Sequence, residues 1–155
     1  MLQHGSMYTI VNSNLLFHAS IPLNADGSLK AVDIRGRRYS GPELLRQTEI
    51  LMRAPFARDV SEEVADFARD YYWYLWCGPD SALFDKSKMA TFERYFLTDK
   101  GVRHEEKGFY YTLREDEKVC DMLLDAFGVR GEHRHIINGH VPVKACLLYT
   151  SPSPR

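Results

Sequence analysis

The sequence predicts an α+β chain in which a few short strands at the two ends carry a largely helical insertion, at about residues 40–128. Three observations predict it. A short apolar run at residues 15–17 near the start and a second run at 135–137 near the end both read as strands, and each runs on into a histidine, His18 and His140. Apolar stripes at helical spacing fill the chain between them. Turn dipeptides at Asp26-Gly27 and Arg35-Gly36 punctuate the region before the first helix.

The 155 residues suffice for one domain with a core, and 45% hydrophobic with 26% charged residues is a globular balance. A net charge of −1 implies no general attraction to nucleic acid or to an anionic membrane. No apolar run approaches a membrane span, and the first residues lack the basic-then-apolar pattern of a secretory signal. Three cysteines, Cys77, Cys120 and Cys146, have no metal-site spacing, and their odd number argues for a reducing compartment, hence a cytoplasmic location.

Residues 8–11 and 15–17 are apolar runs separated by Asn12-Ser13-Asn14. Leu15-Leu16-Phe17 does not alternate, which predicts a strand covered on both faces. Residues 29–34 and 37–39 flank Arg35-Gly36 as a β-hairpin, with Arg35, Arg37 and Arg38 at its tip. Ser40-Gly41-Pro42-Glu43 reads as a capping box that opens a helix running to Pro55. Asp59-Val60-Ser61-Glu62 offers a similar start for a second helix, which ends before Gly78-Pro79, with Val64, Phe67, Ala68, Tyr71, Tyr72 and Leu75 as its inner stripe. Its aromatic run at 71–76 could stack a sugar or a base, but reads first as core. A third helix is expected over 87–97 with Met89, Phe92 and Phe96 inward, followed by a polar loop at 100–108. Lys86, Lys88, Lys100, Arg103 and Lys107 could form a basic face there, with a solvated surface as the plainer reading. Thr112-Leu113-Arg114-Glu115 reads as the capping box of a further helix, with Gly128 as its C-terminal cap.

The last strand is expected to be buried and to end at Gly139-His140, stopped by Pro142. Gly139 lets the backbone come close to a neighbour. Taken alone, His140 fits an ordinary strand-end turn and His18 a partly buried histidine bonded to a carbonyl. If the two strands are neighbours in one sheet, both imidazoles reach the same edge, and that is a metal-site geometry.

Several blocks carry a resemblance. These are the run from Asn14 through His18 to Gly27, the run from Tyr74 to Ser81, Leu83-Phe84-Asp85-Lys86, the run from Lys88 to Phe96, the run from Tyr111 to Glu117, and the run from His135 to Lys144. In that order they resemble the class III (Firmicutes-type) fructose-1,6-bisphosphatases, members of the calcineurin-like metallophosphoesterases. The resemblance implies a partial metallophosphoesterase β-sandwich over residues 1–144. It implies that His18 and His140 are metal ligands in a dinuclear centre, with Mn²⁺ as the cofactor. It also implies hydrolysis of the small-molecule substrate fructose 1,6-bisphosphate to fructose 6-phosphate and phosphate, a step of gluconeogenesis. Ala19-Ser20 follows His18 where the superfamily usually has glycine-containing residues.

The Asp-x-His, Gly-Asp-x-x-Asp-Arg and Gly-Asn-His/Asp motifs that complete such a centre do not occur in these residues. The chain therefore reads as an internal or late portion of a longer enzyme, inactive alone. Its catalytic residues and its sugar-recognising residues are left unassigned, with Arg35, Arg38, Lys86 and Arg94 as cationic candidates. Residues 145–155 depart from the family pattern and resemble translated adapter sequence, with a natural Ser/Pro-rich tail as the alternative. Two other readings are carried: a related phosphatase acting on phosphoproteins or nucleotides, and a non-catalytic helical interaction module. Assembly into a homo-oligomer is left open.

Overall fold

The computed structural model describes residues 5–140. Met1 to His4, Pro142, Cys146 and the tail at 145–155 lie outside the described residues. Two short strands open the chain, β1 (Tyr8–Val11) and β2 (Asn14–Phe17), paired antiparallel with Tyr8 opposite Phe17. Asn12 and Ser13 make the two-residue connection, and both take positive φ, 49° and 61°. That is the mirror-image turn whose twist suits a tight hairpin. A late strand, β5 (His135–Asn138), lies parallel to β2 with Leu15 opposite Ile136, so the sheet order is β1-β2-β5. Parallel neighbours need a long crossover. Here every described helix lies in it.

The crossover begins with a second hairpin, β3 (Val32–Ile34) and β4 (Arg37–Tyr39), in which Ile34 pairs with Arg37. Arg35 and Gly36 form its tip at φ 53° and 78°. Helix α1 (Gly41–Arg53) follows and tightens into a single 3₁₀ turn at Ala54–Phe56, so Pro55 does mark the helix end. Helix α2 (Glu62–Cys77) is capped by Ser61, whose Oγ accepts the Val64 N–H. Ala68, Tyr71 and Leu75 bury the predicted stripe, and the Tyr71 hydroxyl meets Thr48 Oγ1 of α1 at 3.1 Å. Short helices α3 (Thr91–Phe96) and α4 (Tyr110–Leu113) precede α5 (Glu117–Ala126). Gly128, at φ 71°, caps α5 as expected, donating to Asp125 O while Val129 N–H reaches Leu124 O. The molecule is thus a mixed α/β chain with two small sheets and several helices.

The core lies between one face of the three-stranded sheet and helices α1, α2 and α5. Leu15, Phe17, Leu44, Leu75 and Leu123 meet there, with Tyr8 and Ile136 packed against them. Side chains alternate across a strand, so Val11, Leu16 and Ile137 fall on the opposite face, where Ile137 is 51% exposed. Two expectations are corrected by this. The second strand is not covered on both faces: Leu15 and Phe17 are buried while Asn14 and Leu16 are only half-buried. Nor is the last strand buried, because among the described residues it is a sheet edge with one open face.

The helical region holds further corrections. Ser40 has the extended backbone of an N-cap, but its side chain makes no capping bond, and Glu43 turns to Arg46 and Gln47 instead. The third helix has six residues rather than eleven, and Phe92 and Phe96 point outward at 73% and 80% exposure. Residues 87–90, expected to open it, instead run alongside 104–107, with Ser87 N–H donating to Glu106 O at 2.8 Å. The helix near residue 115 is capped by Asp116, which accepts from the N–H groups of Lys118 and Val119. Thr112 spends its hydroxyl on Phe109 O and caps nothing. In the aromatic run on α2, Tyr71 is core, whereas Trp73 and Trp76 are exposed.

Candidate functional site

Because β2 and β5 run parallel, they deliver their C-terminal ends to the same sheet edge. His18 is the first residue beyond β2, and its carbonyl accepts the Gly139 N–H at 2.8 Å. Asn138 Nδ2 donates to the Ala19 carbonyl at 3.2 Å. These two bonds clamp the strand ends together. His140 then turns back through a left-handed backbone, φ 62°, and its ring centroid lies 5.0 Å from that of His18. The close approach predicted at Gly139 is this hydrogen bond. A Cβ at Gly139 would meet His18 O at 3.4 Å, an ordinary contact, so glycine is less strictly required there than the sequence suggested.

Both rings rest on Phe84. Its centroid is 5.1 Å from His18, edge-on, and 4.5 Å from His140. Trp76 packs on Phe84 from α2 at 5.2 Å, which extends the aromatic wall away from the histidines. Phe84 is nearly fully buried and is fixed by a tight turn. Ser81 Oγ donates to Leu75 O and accepts the N–H groups of Phe84 and Asp85, and the Tyr111 hydroxyl donates to Phe84 O at 2.6 Å. Sequence reading assigned Phe84 no role. It sits in an irregular segment with no periodicity, and only its place in the Leu83-to-Lys86 block pointed to it.

Burial lowers the pKa of His18. Burial also lowers that of His140, helped by the positive charges of His18 and Lys86 and opposed by Glu105. Both imidazoles are therefore held toward the neutral form, which is the form that donates a lone pair to a cation. Behind them lies Asp85, 2% exposed, whose carboxyl is pushed up to about 6 by burial and pulled back in part by the Ser20 hydroxyl at 3.2 Å. Ser20, two residues past His18, is thereby tied to the turn that carries Phe84. Gly108 closes over the same carboxyl: a Cβ there would come within 1.8 Å of Asp85 Oδ2. Here glycine is required.

The site offers two neutral, adjacent nitrogen donors on paired strand ends, and these fit a divalent cation of intermediate softness. Two donors alone would fill only part of such a cation's coordination sphere. Among the described residues no group of three or more His, Cys, Asp or Glu side chains comes together to hold a metal. Of the cationic candidates, Arg35 is committed to Glu63 and stands over Phe67, while Arg38 reaches Ala31 O. Phe67 and Trp76 are nine residues apart on α2, about 14 Å along its axis, so Arg35 is remote from the histidines. Lys86 and Arg94 both reach Glu105, near the pair.

The model of the Firmicute fructose-1,6-bisphosphatase family matches residues 1–147. The chain belongs to that family. It is 63% identical over 144 residues to the class 3 fructose-1,6-bisphosphatase of Phocaeicola vulgatus, which covers 93% of this chain and 22% of the relative. The Bacteroides thetaiotaomicron protein of the same name is 57% identical, with the same coverage. That of Enterococcus faecalis is 47% identical over 93% of this chain and 23% of its own length. The chain thus spans about a fifth of the length of these fructose-1,6-bisphosphatases. No solved structure matches it. The matched region includes the segments around Trp76 and Phe92. Among the described residues no helix is long and apolar enough to cross a membrane.

Proposed function

We propose that this chain supplies one flank of the active centre of a cytoplasmic fructose-1,6-bisphosphatase, which hydrolyses fructose 1,6-bisphosphate to fructose 6-phosphate and phosphate. The observation that carries this is the pair His18 and His140, set on adjacent parallel strand ends with ring centroids 5.0 Å apart. In this reading β1, β2 and β5 are part of a metallophosphoesterase β-sandwich, and the two histidines are ligands of a dinuclear Mn²⁺ centre. Divalent cations bound there would supply Lewis acidity toward phosphate and an activated water. The chain's own residues have simpler tasks. His18 and His140 present neutral nitrogen donors, Phe84 fixes the planes of both rings, and the bonds at Gly139 and Asn138 set the spacing between the strand ends.

The test is a transplant. Residues 5–140 replace the matching segment of the Phocaeicola vulgatus enzyme, and Mn²⁺-dependent phosphate release from fructose 1,6-bisphosphate is measured. The chimera is expected to be active. His18→Ala or His140→Ala should lower kcat by at least a hundredfold and weaken Mn²⁺ binding, while the isolated 155-residue chain releases no phosphate. A chimera that keeps its activity and its Mn²⁺ affinity with both histidines replaced would overturn the assignment.

A further inference from the structure

Lys86, Arg94 and Glu105 are not accounted for by the two histidines, and they form a built charge cluster. Glu105 is nearly buried. Its Oε1 accepts the Ala90 N–H at 2.8 Å, and its Oε2 faces Lys86 Nζ at 3.1 Å and Arg94 Nη2 at 3.5 Å. Burial pushes its carboxyl up, but these partners outweigh burial and hold it below the usual range, so it is ionised at neutral pH. The segments that carry the cluster are tied together. Gly108 N–H donates to Asp85 O, Ser87 N–H to Glu106 O, and Glu106 N–H to Ser87 Oγ. Two cations thus share one carboxylate in a fixed frame, and a unit of positive charge is left without a counterpart in the cluster. Lys86 side-chain exposure is 21% and that of Arg94 is 57%, so the guanidinium in particular can still be reached from solvent.

The cluster's position gives this charge a use. Lys86 is two residues from Phe84, at most ~7 Å along the chain, and Phe84 touches both histidine rings. The charges of Lys86 and Glu105 both reach the His140 imidazole. Trp76, on the outer side of Phe84, adds a half-exposed indole to the same wall. A lone phosphate held at the histidines would not need a second cationic centre beside them. A sugar phosphorylated at both ends would.

We propose that Lys86 and Arg94, clamped by Glu105, form the subsite for the phosphate of the sugar bisphosphate that is not cleaved. This rests on the functional reading above. A planar guanidinium beside an ammonium suits a phosphate dianion, with Arg94 offering paired donors and Lys86 a point charge. Glu105 holds both cations in place before substrate arrives, so less side-chain freedom is lost on binding. Its remaining negative charge keeps the grip moderate.

Two measurements test the subsite. In the chimeric enzyme, Lys86→Gln with Arg94→Gln is expected to raise KM for fructose 1,6-bisphosphate at least tenfold. The kcat should stay within about twofold, and KM for fructose 1-phosphate, which lacks the second phosphate, should not move. Arg94→Lys should restore part of the difference. If the two substrates lose equally, or neither changes, the subsite is elsewhere. The second measurement needs no catalysis: fructose 6-phosphate is titrated into the 155-residue chain and amide chemical shifts are followed. Shifts are expected around residues 86, 94 and 105, absent with unphosphorylated fructose and lost in the double variant. Their absence from the parent chain overturns the proposal. A chimera without phosphatase activity whose parent segment still shows these shifts would instead count against the catalytic reading and leave the subsite standing.

Discussion

Asp85 shows how a single residue near the site sets a pH dependence. Its carboxyl keeps its proton to about pH 6 in the folded chain, against an ordinary value of 3.8. Between those values the folded state binds more protons than the unfolded one, so this group's contribution to stability falls as pH rises through the window. Above about pH 6 the buried charge costs about 3 kcal/mol relative to an unperturbed aspartate. Asp85→Asn removes the charge but keeps a partner for the Ser20 hydroxyl. The variant is expected to be more stable than the parent at pH 8, with the advantage shrinking toward zero near pH 4. Urea unfolding at several pH values would measure it, and an advantage that does not vary with pH would show that Asp85 is not the titrating group. The two histidines, with lowered pKa values, act in the opposite direction: their contribution weakens as pH falls below 6.5. Comparing variant with parent cancels them. At this scale the sequence displayed His18 and His140 plainly, since a strand leading into a histidine is a local pattern. Phe84 and Asp85 were not legible as site residues. What makes them matter is contact across 65 residues, from Ser20 to Asp85, and no spacing rule carries that.

Among the elements, those legible in the sequence are the ones whose signals are local. The α2 stripe, the Arg35-Gly36 turn and the Gly128 cap depend on residues within one or two turns, and all three appear in the structure. The failures have two causes. A Ser or Thr three residues before Glu is a necessary pattern for a capping box, but the residue must also stand just outside the helix it caps, and Thr112 lies inside α4 with its hydroxyl donating back to Phe109 O. The third helix was misread because periodicity in a short window does not say which side faces a core. The residues expected to open it are taken by the pairing of 87–90 with 104–107 instead. The caps give a direct check. Asp116→Ala should destabilise the chain by about 1 kcal/mol, since it strips acceptors from two N–H groups at the start of α5. Thr112→Ala should stay within about 0.5 kcal/mol. Equal losses in urea unfolding would mean that Thr112 caps the helix after all.

For the whole molecule, the parallel pairing of β2 and β5 is the decisive feature, and the sequence offered it only as a condition. Strand neighbours separated by more than a hundred residues leave no periodic trace; the two histidines at the strand ends were the hint. The same topology leaves apolar surface open. Among the described residues Val11, Leu16 and Ile137 share a sheet face that nothing covers, β5 is an edge, and Phe92, Tyr95 and Phe96 stand out from α3. Both surfaces favour association, one by strand pairing and the other by area. Area should dominate, because each aromatic ring can bury ~150–250 Å² whereas the sheet face offers three aliphatic side chains. Sedimentation velocity over a range of chain concentrations should therefore show growing assemblies. Phe92→Ser with Phe96→Ser should shift association to higher concentration more than Ile137→Lys does. None of these side chains is in the core, so thermal unfolding of the dilute variants should stay close to that of the parent. If Ile137→Lys has the larger effect, the β5 edge rather than the α3 aromatics is where copies of this chain meet, and strand addition is the mode of assembly.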